Sequence, residues 1–447
     1  MRQILSLNAF NLADAARLDS HAAAQVRRRA GLFGAASVLF YDQPLQIVRG
    51  EGCWLYDADN VAYLDAYNNV PSVGHCHPQV VQAVARQMGL LNTHSRYLCE
   101  GVETYAENLL STLPPALSNI TFTCTGSESN DLALRLAQNA TGGTGIIVTD
   151  CAYHGNTSSV AQVSPSALKQ GQLSSHVRTV PAPSALTVGA DRLSAHFAGL
   201  VEDAILDLQN RGIKFAALLV DSIFSSDGIF ADPPGFLSDA VAVAQRAGGL
   251  FIADEVQPGF GRTGATLWGF QRHAVEPDIV TMGKPMGNGY PIGAVVTRPQ
   301  ILTAFCETIG YFNTFGGTAV AAAAGQAVLD VIAGDGLMDN ATQVGAHLRH
   351  GLAALALQYP LIREVRGAGL YVGVDLAGQG RPAPVLARTV INFMRERRVL
   401  IGAAGRDGDV LKIRPPLCFS IQQADRLIEA LDDSLRAALS NGADPAE

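Results

Sequence analysis

Of the 32 basic residues in this 447-residue chain, four are lysines: Lys169, Lys214, Lys284 and Lys412. Lys284 stands apart by its setting, following the apolar run Ile279-Val280-Thr281-Met282 between Gly283 and Pro285. A lysine held out of water at a strand end binds its proton less tightly, and the free amine can form a Schiff base with a carbonyl. An ordinary loop lysine is the competing reading of that residue alone. Asp254 ends a second apolar run, Leu250-Phe251-Ile252-Ala253. Open α/β sheets place their ligands at the carboxyl ends of parallel strands. A carboxylate there can keep a pyridine nitrogen protonated through a charge-assisted hydrogen bond. A loop cap or a metal ligand would also use an acid.

Three further motifs carry chemistry. Thr125-Gly126-Ser127-Glu128-Ser129-Asn130-Asp131 joins a run ending at Cys124 to a helical pattern through Leu132, Leu134 and Leu136. Small residues at a strand-to-helix turn leave backbone N–H groups bare for a phosphate, and Ser127 adds a hydroxyl. A simple capping turn would use the same residues. Tyr153-His154-Gly155 follows the run at 146–149, where an aromatic could stack on a flat ring. His154 alone reads as a packed or hydrogen-bonded histidine rather than a catalyst. Gly74-His75-Cys76-His77-Pro78 superficially resembles a metal cluster, but its ligands alternate sides and nothing completes a tetrahedral set. A turn before a helix is the better reading, and no metal is expected.

The elements that must hold these residues are short apolar runs at 120–124, 146–148, 216–220, 250–253, 278–282 and 292–296. Helical patterns lie between several of them, for example at 132–138 and 237–247. Continuous apolar strands alternating with helices imply a mainly parallel sheet covered on both faces, an α/β class. An amphipathic helix is expected at 11–30, a hairpin over 45–66 turning at Asp57-Ala58-Asp59-Asn60, and a long helix at 319–333. Strands at 370–376 and 410–413 with helices near 386–397 and 422–439 suggest a smaller C-terminal α+β lobe. The division expected is 1–70 joining the small lobe, 71–335 as the large domain and 336–447 as the small one.

Composition narrows the class. A net charge of −8 with no basic block beyond Arg27-Arg28-Arg29 gives no nucleic-acid footprint. No apolar stretch approaches ~20 residues, so no membrane span is expected. Seven dispersed cysteines without a C-x-x-C pair read as reduced thiols, and Asp14, Asp19 and His21 interrupt any signal-like core. A cytoplasmic location is expected.

Taken in order, the phosphate turn, ring-stacking aromatic, pyridine acid and lysine resemble the class III aminotransferases, pyridoxal 5'-phosphate (PLP) enzymes of the aspartate-aminotransferase fold (fold type I). The resemblance spans about 45–435. It includes Gly74 to Pro78, 125–136, Asp254-Glu255-Val256-Gln257 onward to Gly264, and Met282-Gly283-Lys284. Thr314-Phe315-Gly316-Gly317-Thr318, Val365-Arg366-Gly367 and Arg414-Pro415-Pro416 complete it. It implies a large domain with a mainly parallel seven-stranded sheet plus a smaller α+β domain, and a homodimer with shared active sites. It also implies that Lys284 carries PLP as a Schiff base and shuttles the substrate proton, with Asp254 on the pyridine nitrogen. Gln257 would approach the ring hydroxyl and Tyr153 would stack on the ring. Gly126 and Ser127 would bind the phosphate, and Thr318 would reach it from the partner subunit.

Within the family, Asn68-Asn69-Val70, 90–96, 283–290 and 411–419 resemble the ethanolamine-phosphate and phosphohydroxylysine phospho-lyase branch. Such enzymes eliminate ammonia and phosphate from a small amine. The alternative is a transaminase passing the amino group to pyruvate or another keto acid. The loop Asp221-Ser222-Ile223-Phe224-Ser225-Ser226-Asp227-Gly228 and the pair Thr318-Ala319 depart from the usual family pattern. Arg414 stands where many transaminases bind a carboxylate and the lyases often have lysine. Its fork suits carboxylate or phosphate alike, and an interlobe ion pair would also use it.

Overall fold

The computed structural model describes residues 7–168, 173–378 and 381–440, the side chains of 381 and 382 excepted, so Lys169 lies outside it. The strands are β1 (Ile47–Glu51), β2 (Trp54–Asp57), β3 (Ala62–Asp65), β4 (Asn119–Thr123), β5 (Gly145–Thr149), β6 (Val177–Val180), β7 (Phe215–Val220) and β8 (Leu250–Asp254). They continue as β9 (Ile279–Met282), β10 (Gly293–Thr297), β11 (Ile362–Ala368), β12 (Tyr371–Gly378), β13 (Arg381–Pro382), β14 (Val399–Leu400), β15 (Gly402–Ala404) and β16 (Val410–Ile413).

Seven strands form the main sheet in the order β4-β10-β9-β8-β7-β5-β6. Only β10 runs against its neighbours; the other pairs are parallel. This is the mainly parallel seven-stranded sheet that the sequence implied. Every residue of β5, β7 and β9 is buried, which only helices on both faces can achieve. Each fully buried Val, Leu or Ile contributes about 1.5–3 kcal/mol, so these runs anchor the sheet whose strand ends carry the chemistry.

Two smaller sheets flank it. In one, β14 near the C-terminus pairs in parallel with β3, extending the β1-β2-β3 meander. The other has the order β11-β12-β16-β15. The expected hairpin over 45–66 is thus three strands, with the predicted Asp57 turn joining β2 to β3. The helix expected at 11–30 is broken in two, a short turn Leu12–Arg17 and a helix Ser20–Phe33. Asp19 causes the break, because its side chain accepts from the His21 and Ala22 N–H groups and starts the second helix. The 22-residue helix Leu337–Gln358 and the strand β6 were not anticipated. Among the described residues no single helix is long and apolar enough to cross a membrane.

Candidate active site

The site is assembled at the carboxyl ends of β8 and β9. Asp254 pairs in register with Thr281, so the acid and the lysine three residues past Thr281 emerge from adjacent strands. Lys284 opens a tight turn, Lys284–Gly287, directly after Gly283. Burial pushes its amine down to about 8, helped by the charge of Arg414 and opposed by those of Asp254 and Asp221. A substantial share of free amine is therefore available near neutral pH, as Schiff-base chemistry requires.

Asp254 is 4% exposed and both its carboxylate oxygens accept hydrogen bonds, with acceptor capacity left on Oδ1. One oxygen accepts from His154 Nδ1 (2.7 Å) and Asn130 Nδ2 (2.9 Å), the other from the Val256 N–H (3.0 Å). Asn130 is itself fixed by Thr281 Oγ1 at 2.7 Å. His154, read as a packed or hydrogen-bonded residue, is hydrogen-bonded directly to the acid, and its buried Nε2 has no partner among the described residues.

The turn at 125–127 touches both strand ends. A Cβ on Gly283 would lie 2.9 Å from the Gly126 nitrogen, and one on Gly126 would lie 2.8 Å from Val256 Cγ2. Gly126 starts a 16-residue helix, Gly126–Thr141, capped by Thr125 Oγ1 accepting from the Glu128 N–H. Its apolar face, Leu132, Leu134 and Leu136, is buried under the sheet strands. Ser127 Oγ accepts from the Asn156 N–H at 3.2 Å. Gly155, at φ +141°, presses against it so closely that a Cβ would lie 2.5 Å from Ser127 Oγ. Only glycine fits there without displacing the serine.

Lys284, Tyr153, Gln257 and Arg414 line one cavity of about 340 Å³. Gln257 Oε1 accepts from Arg414 Nη1, from the Tyr371 hydroxyl (3.1 Å) and from Asn69 Nδ2 (3.2 Å). Arg414 is 8% exposed, donates also to Asn69 Oδ1 at 2.8 Å and lies over the Tyr67 ring, 4.6 Å from its centre. It makes no ion pair among the described residues, so the interlobe ion-pair reading fails. Thr318 does not line this cavity; it caps the helix Ala319–Gly334 through its hydroxyl.

Sequence reasoning missed Lys412. It is 4% exposed, lines the same cavity, and donates to the Ser225 carbonyl at 3.1 Å. Burial and the neighbouring Arg414 hold its amine well below the ordinary lysine range. The signal was present: Lys412 and Arg414 alternate with apolar Leu411 and Ile413 and so share one face of the strand. Tyr67 had no such signature, and Asn69 and Ser226 stood out only within the stretches 68–70 and 221–228. The Gly74–Pro78 motif is the expected turn, with Pro78 opening the helix Pro78–Met88 and His75 paired with Asp65 at 2.7 Å. No cluster among the described residues could hold a metal.

The residues fit PLP. A buried acid at a strand end, an amine with lowered proton affinity beside it and a half-buried tyrosine suit its ring and aldehyde. The bare helix N-terminus, kept open by two glycines that tolerate no Cβ, suits its phosphate.

Comparison with known proteins agrees. The family model Aminotransferase class-III matches residues 39–435. An alanine–glyoxylate aminotransferase 2-like protein of Drosophila melanogaster is 40% identical over 91% of this chain and 85% of its own length. Ethanolamine-phosphate phospho-lyase homolog 1 of Caenorhabditis elegans is 35% identical, with 92% of each chain covered. A solved phospholyase from Arthrobacter, in complex with phosphoethanolamine, is 44% identical with a TM-score of 0.89, covering 92% of this chain and 99% of that one. The chain belongs to the class III aminotransferase family and is a PLP-dependent enzyme of that fold.

Proposed function

We propose that this enzyme eliminates ammonia and phosphate from a small primary amine bearing a phosphate ester on the neighbouring carbon, an O-phosphoethanolamine-like substrate. One observation carries the reading. Lys412 and Arg414, both buried, face the cavity together, and no carboxylate is among its lining residues. Their hydrogen-bond partners there are neutral: a carbonyl for Lys412, amide oxygens for Arg414. Arg414 has no ion-pair partner among the described residues and Lys412 feels only the more distant Asp221 and Asp227, so a phosphate dianion, supplying two charges where a carboxylate supplies one, suits the pair. The phospholyase from Arthrobacter and the C. elegans phospho-lyase homologue support the same chemistry.

Lys284 would hold PLP through its amine, with Asp254 at the pyridine nitrogen and Gln257 toward the ring hydroxyl. Tyr153 would lie on the ring face, and Gly126 with Ser127 would hold the phosphate. Bound there, PLP supplies an electron sink for the pair left when the amine-bearing carbon loses its proton. Lys284 Nζ takes that proton. The His154–Asn130 pair holds Asp254 in orientation. Lys412 and Arg414 hold the phosphate of the substrate and receive its charge as the carbon–oxygen bond breaks. With water, the products are ammonia, inorganic phosphate and the corresponding aldehyde.

The reading includes a homodimer in which the partner subunit's Thr318 reaches the cofactor phosphate. Apolar side chains left bare near that residue support it: Leu98 is 94% and Phe315 70% exposed. It also includes the division at 70/71 and 335/336, supported by β14 joining β3, and a reducing cytoplasm, supported by seven free cysteines.

The alternative is transfer of the amino group to a keto acid such as pyruvate, favoured by the Drosophila relative and by an arginine able to grip a carboxylate. Incubation with phosphoethanolamine and no keto acid separates the two. Equimolar phosphate and ammonia are expected. Release of neither, with amino transfer once pyruvate is added, would overturn the elimination reading.

A further inference from the structure

Cys53 and Cys418 are 365 positions apart in sequence, yet their sulfurs lie 3.5 Å from each other. Among the described residues no other two cysteine sulfurs are within hydrogen-bonding range. Cys53 is 2% exposed in the turn between β1 and β2, and half-buried Cys418 follows Arg414 by four residues. The Cys53 carbonyl accepts from the Asp65 N–H (2.8 Å), and the stretch that follows Asp65 is joined to the Cys418 segment by bonds from the Arg414 N–H to the Ala66 carbonyl (2.8 Å) and from the Leu417 N–H to the Ser72 carbonyl (2.7 Å). Gly74 makes room for the pair, since a Cβ there would lie 3.0 Å from Cys418 Sγ.

We propose that Cys53 and Cys418 form an oxidation site at which a hydroperoxide produces an intrachain disulfide. The sulfurs need only close to about 2 Å, a side-chain movement between segments that are already fixed. The contact with Cys53 and the charge of Arg262 hold the Cys418 thiol below its ordinary range, while the same contact and burial push Cys53 up. Cys418 is therefore the thiolate that reacts first. It attacks one peroxide oxygen, the O–O bond breaks, and the second oxygen leaves and takes a proton to become water or an alcohol. The Cys53 sulfur then attacks the sulfenic sulfur of Cys418, the S–O bond breaks and water leaves. Two thiols have lost two electrons and two protons, and the peroxide has been reduced. A thiol reductant reverses the step. The bond clamps the strand bearing Lys412 and Arg414 to the N-terminal meander. Because it closes so long a loop, its effect on the unfolded chain is near the upper end of what a single disulfide provides.

The test treats the PLP-loaded protein with hydrogen peroxide, then counts thiols after denaturation and maps peptides. Thiols should fall from seven to five per chain. Intact mass should drop by about 2 Da, and one cross-linked peptide pair should contain Cys53 and Cys418. Tm should rise and return when dithiothreitol is added. Cys53→Ser or Cys418→Ser should abolish the cross-link; Cys306→Ser, at an exposed position, should not. A bridge mapping to any other pair, or oxygen added to Cys418 without loss of the Cys53 thiol, would overturn the proposal. Mapping on the unsubstituted chain decides the matter even if a serine variant fails to fold.

Discussion

Lys412→Met separates a side chain retained for catalysis from one retained for stability. Methionine keeps most of the stem volume and removes the charge. In the folded chain the amine makes one hydrogen bond, to the Ser225 carbonyl, and lies 5.6 Å from the centre of the Tyr371 ring. Removing it leaves that carbonyl unmet but also relieves the burial of an amine whose proton affinity is already low, so stability should stay within about 1 kcal/mol. Elimination should suffer far more. A charge-assisted hydrogen bond to the departing phosphate contributes roughly 1.5–3 kcal/mol, or about a 10- to 150-fold loss in kcat/KM. The assay compares phosphate release from phosphoethanolamine with deamination of an amine whose tail is uncharged. An equal loss on both substrates, or urea unfolding that shows several kcal/mol of destabilisation, would refute the reasoning. The low proton affinity of Lys412 adds a sign. A bound dianion favours the ammonium and raises the pKa of Lys412, so binding takes up a proton and weakens as pH rises. Calorimetry in two buffers of different ionisation enthalpy should detect that uptake.

The remaining expectations use the other parts of the site. With Lys284 lowered to about 8, the apoprotein should capture PLP at a rate that rises through pH 8 and then levels; a midpoint near the ordinary lysine value would contradict the burial argument. Because the unfolded lysine keeps its proton to a higher pH than the folded one, stability of the apoprotein should increase from about pH 8 to 10. Gly155→Ala forces a Cβ to 2.5 Å from Ser127 Oγ, and should weaken PLP binding at least ~10-fold while far-UV circular dichroism is unchanged. Asp254→Ala removes the acceptor of His154, Asn130 and Val256 and should cost about 3 kcal/mol in urea unfolding. A loss under ~1 kcal/mol would mean that water replaces the carboxylate.

Lys284 and Asp254 were legible because each ends a continuous apolar strand, and parallel sheets collect their chemistry at such ends. The phosphate turn was legible for a similar reason: Thr125 caps a helix whose apolar face is plain in sequence. The far wall was only partly so. Arg414 stood out, but Tyr67, Asn69, Ser226 and Lys412 join it from three separated stretches that only tertiary packing brings together. The helix Leu337–Gln358 was overlooked although Leu337, Ala341, Val344, Leu348, Leu352 and Leu355 keep helical spacing, because alanine and glycine dilute the stripe. β6 has four residues at a sheet edge, too few to declare a period.

That uneven legibility follows the division of labour in the site. In the proposed site, Lys284, Asp254 and the turn at Gly126 would do what any amine-processing member of the family needs, which is to hold PLP and move one proton. Nothing in them distinguishes elimination from transfer. The difference must lie where the substituent on the neighbouring carbon sits, because expulsion competes with reprotonation only if the leaving group's charge is met as it develops. Lys412 and Arg414 are rigidly placed to meet it: Arg414 is clamped by Asn69 and Gln257, and Lys412 by a backbone carbonyl, so little reorganisation is needed when the bond breaks. On this argument Lys412→Met should shift the reaction's outcome as well as its rate. With the leaving group less well met, each turnover has more chance to end in reprotonation, and the aminated cofactor should accumulate in the absence of a keto acid. Rapid-quench chromatography of the cofactor from Lys412→Met and unsubstituted enzyme would show it. Identical partitioning in both would place the choice between the two reactions elsewhere in the cavity.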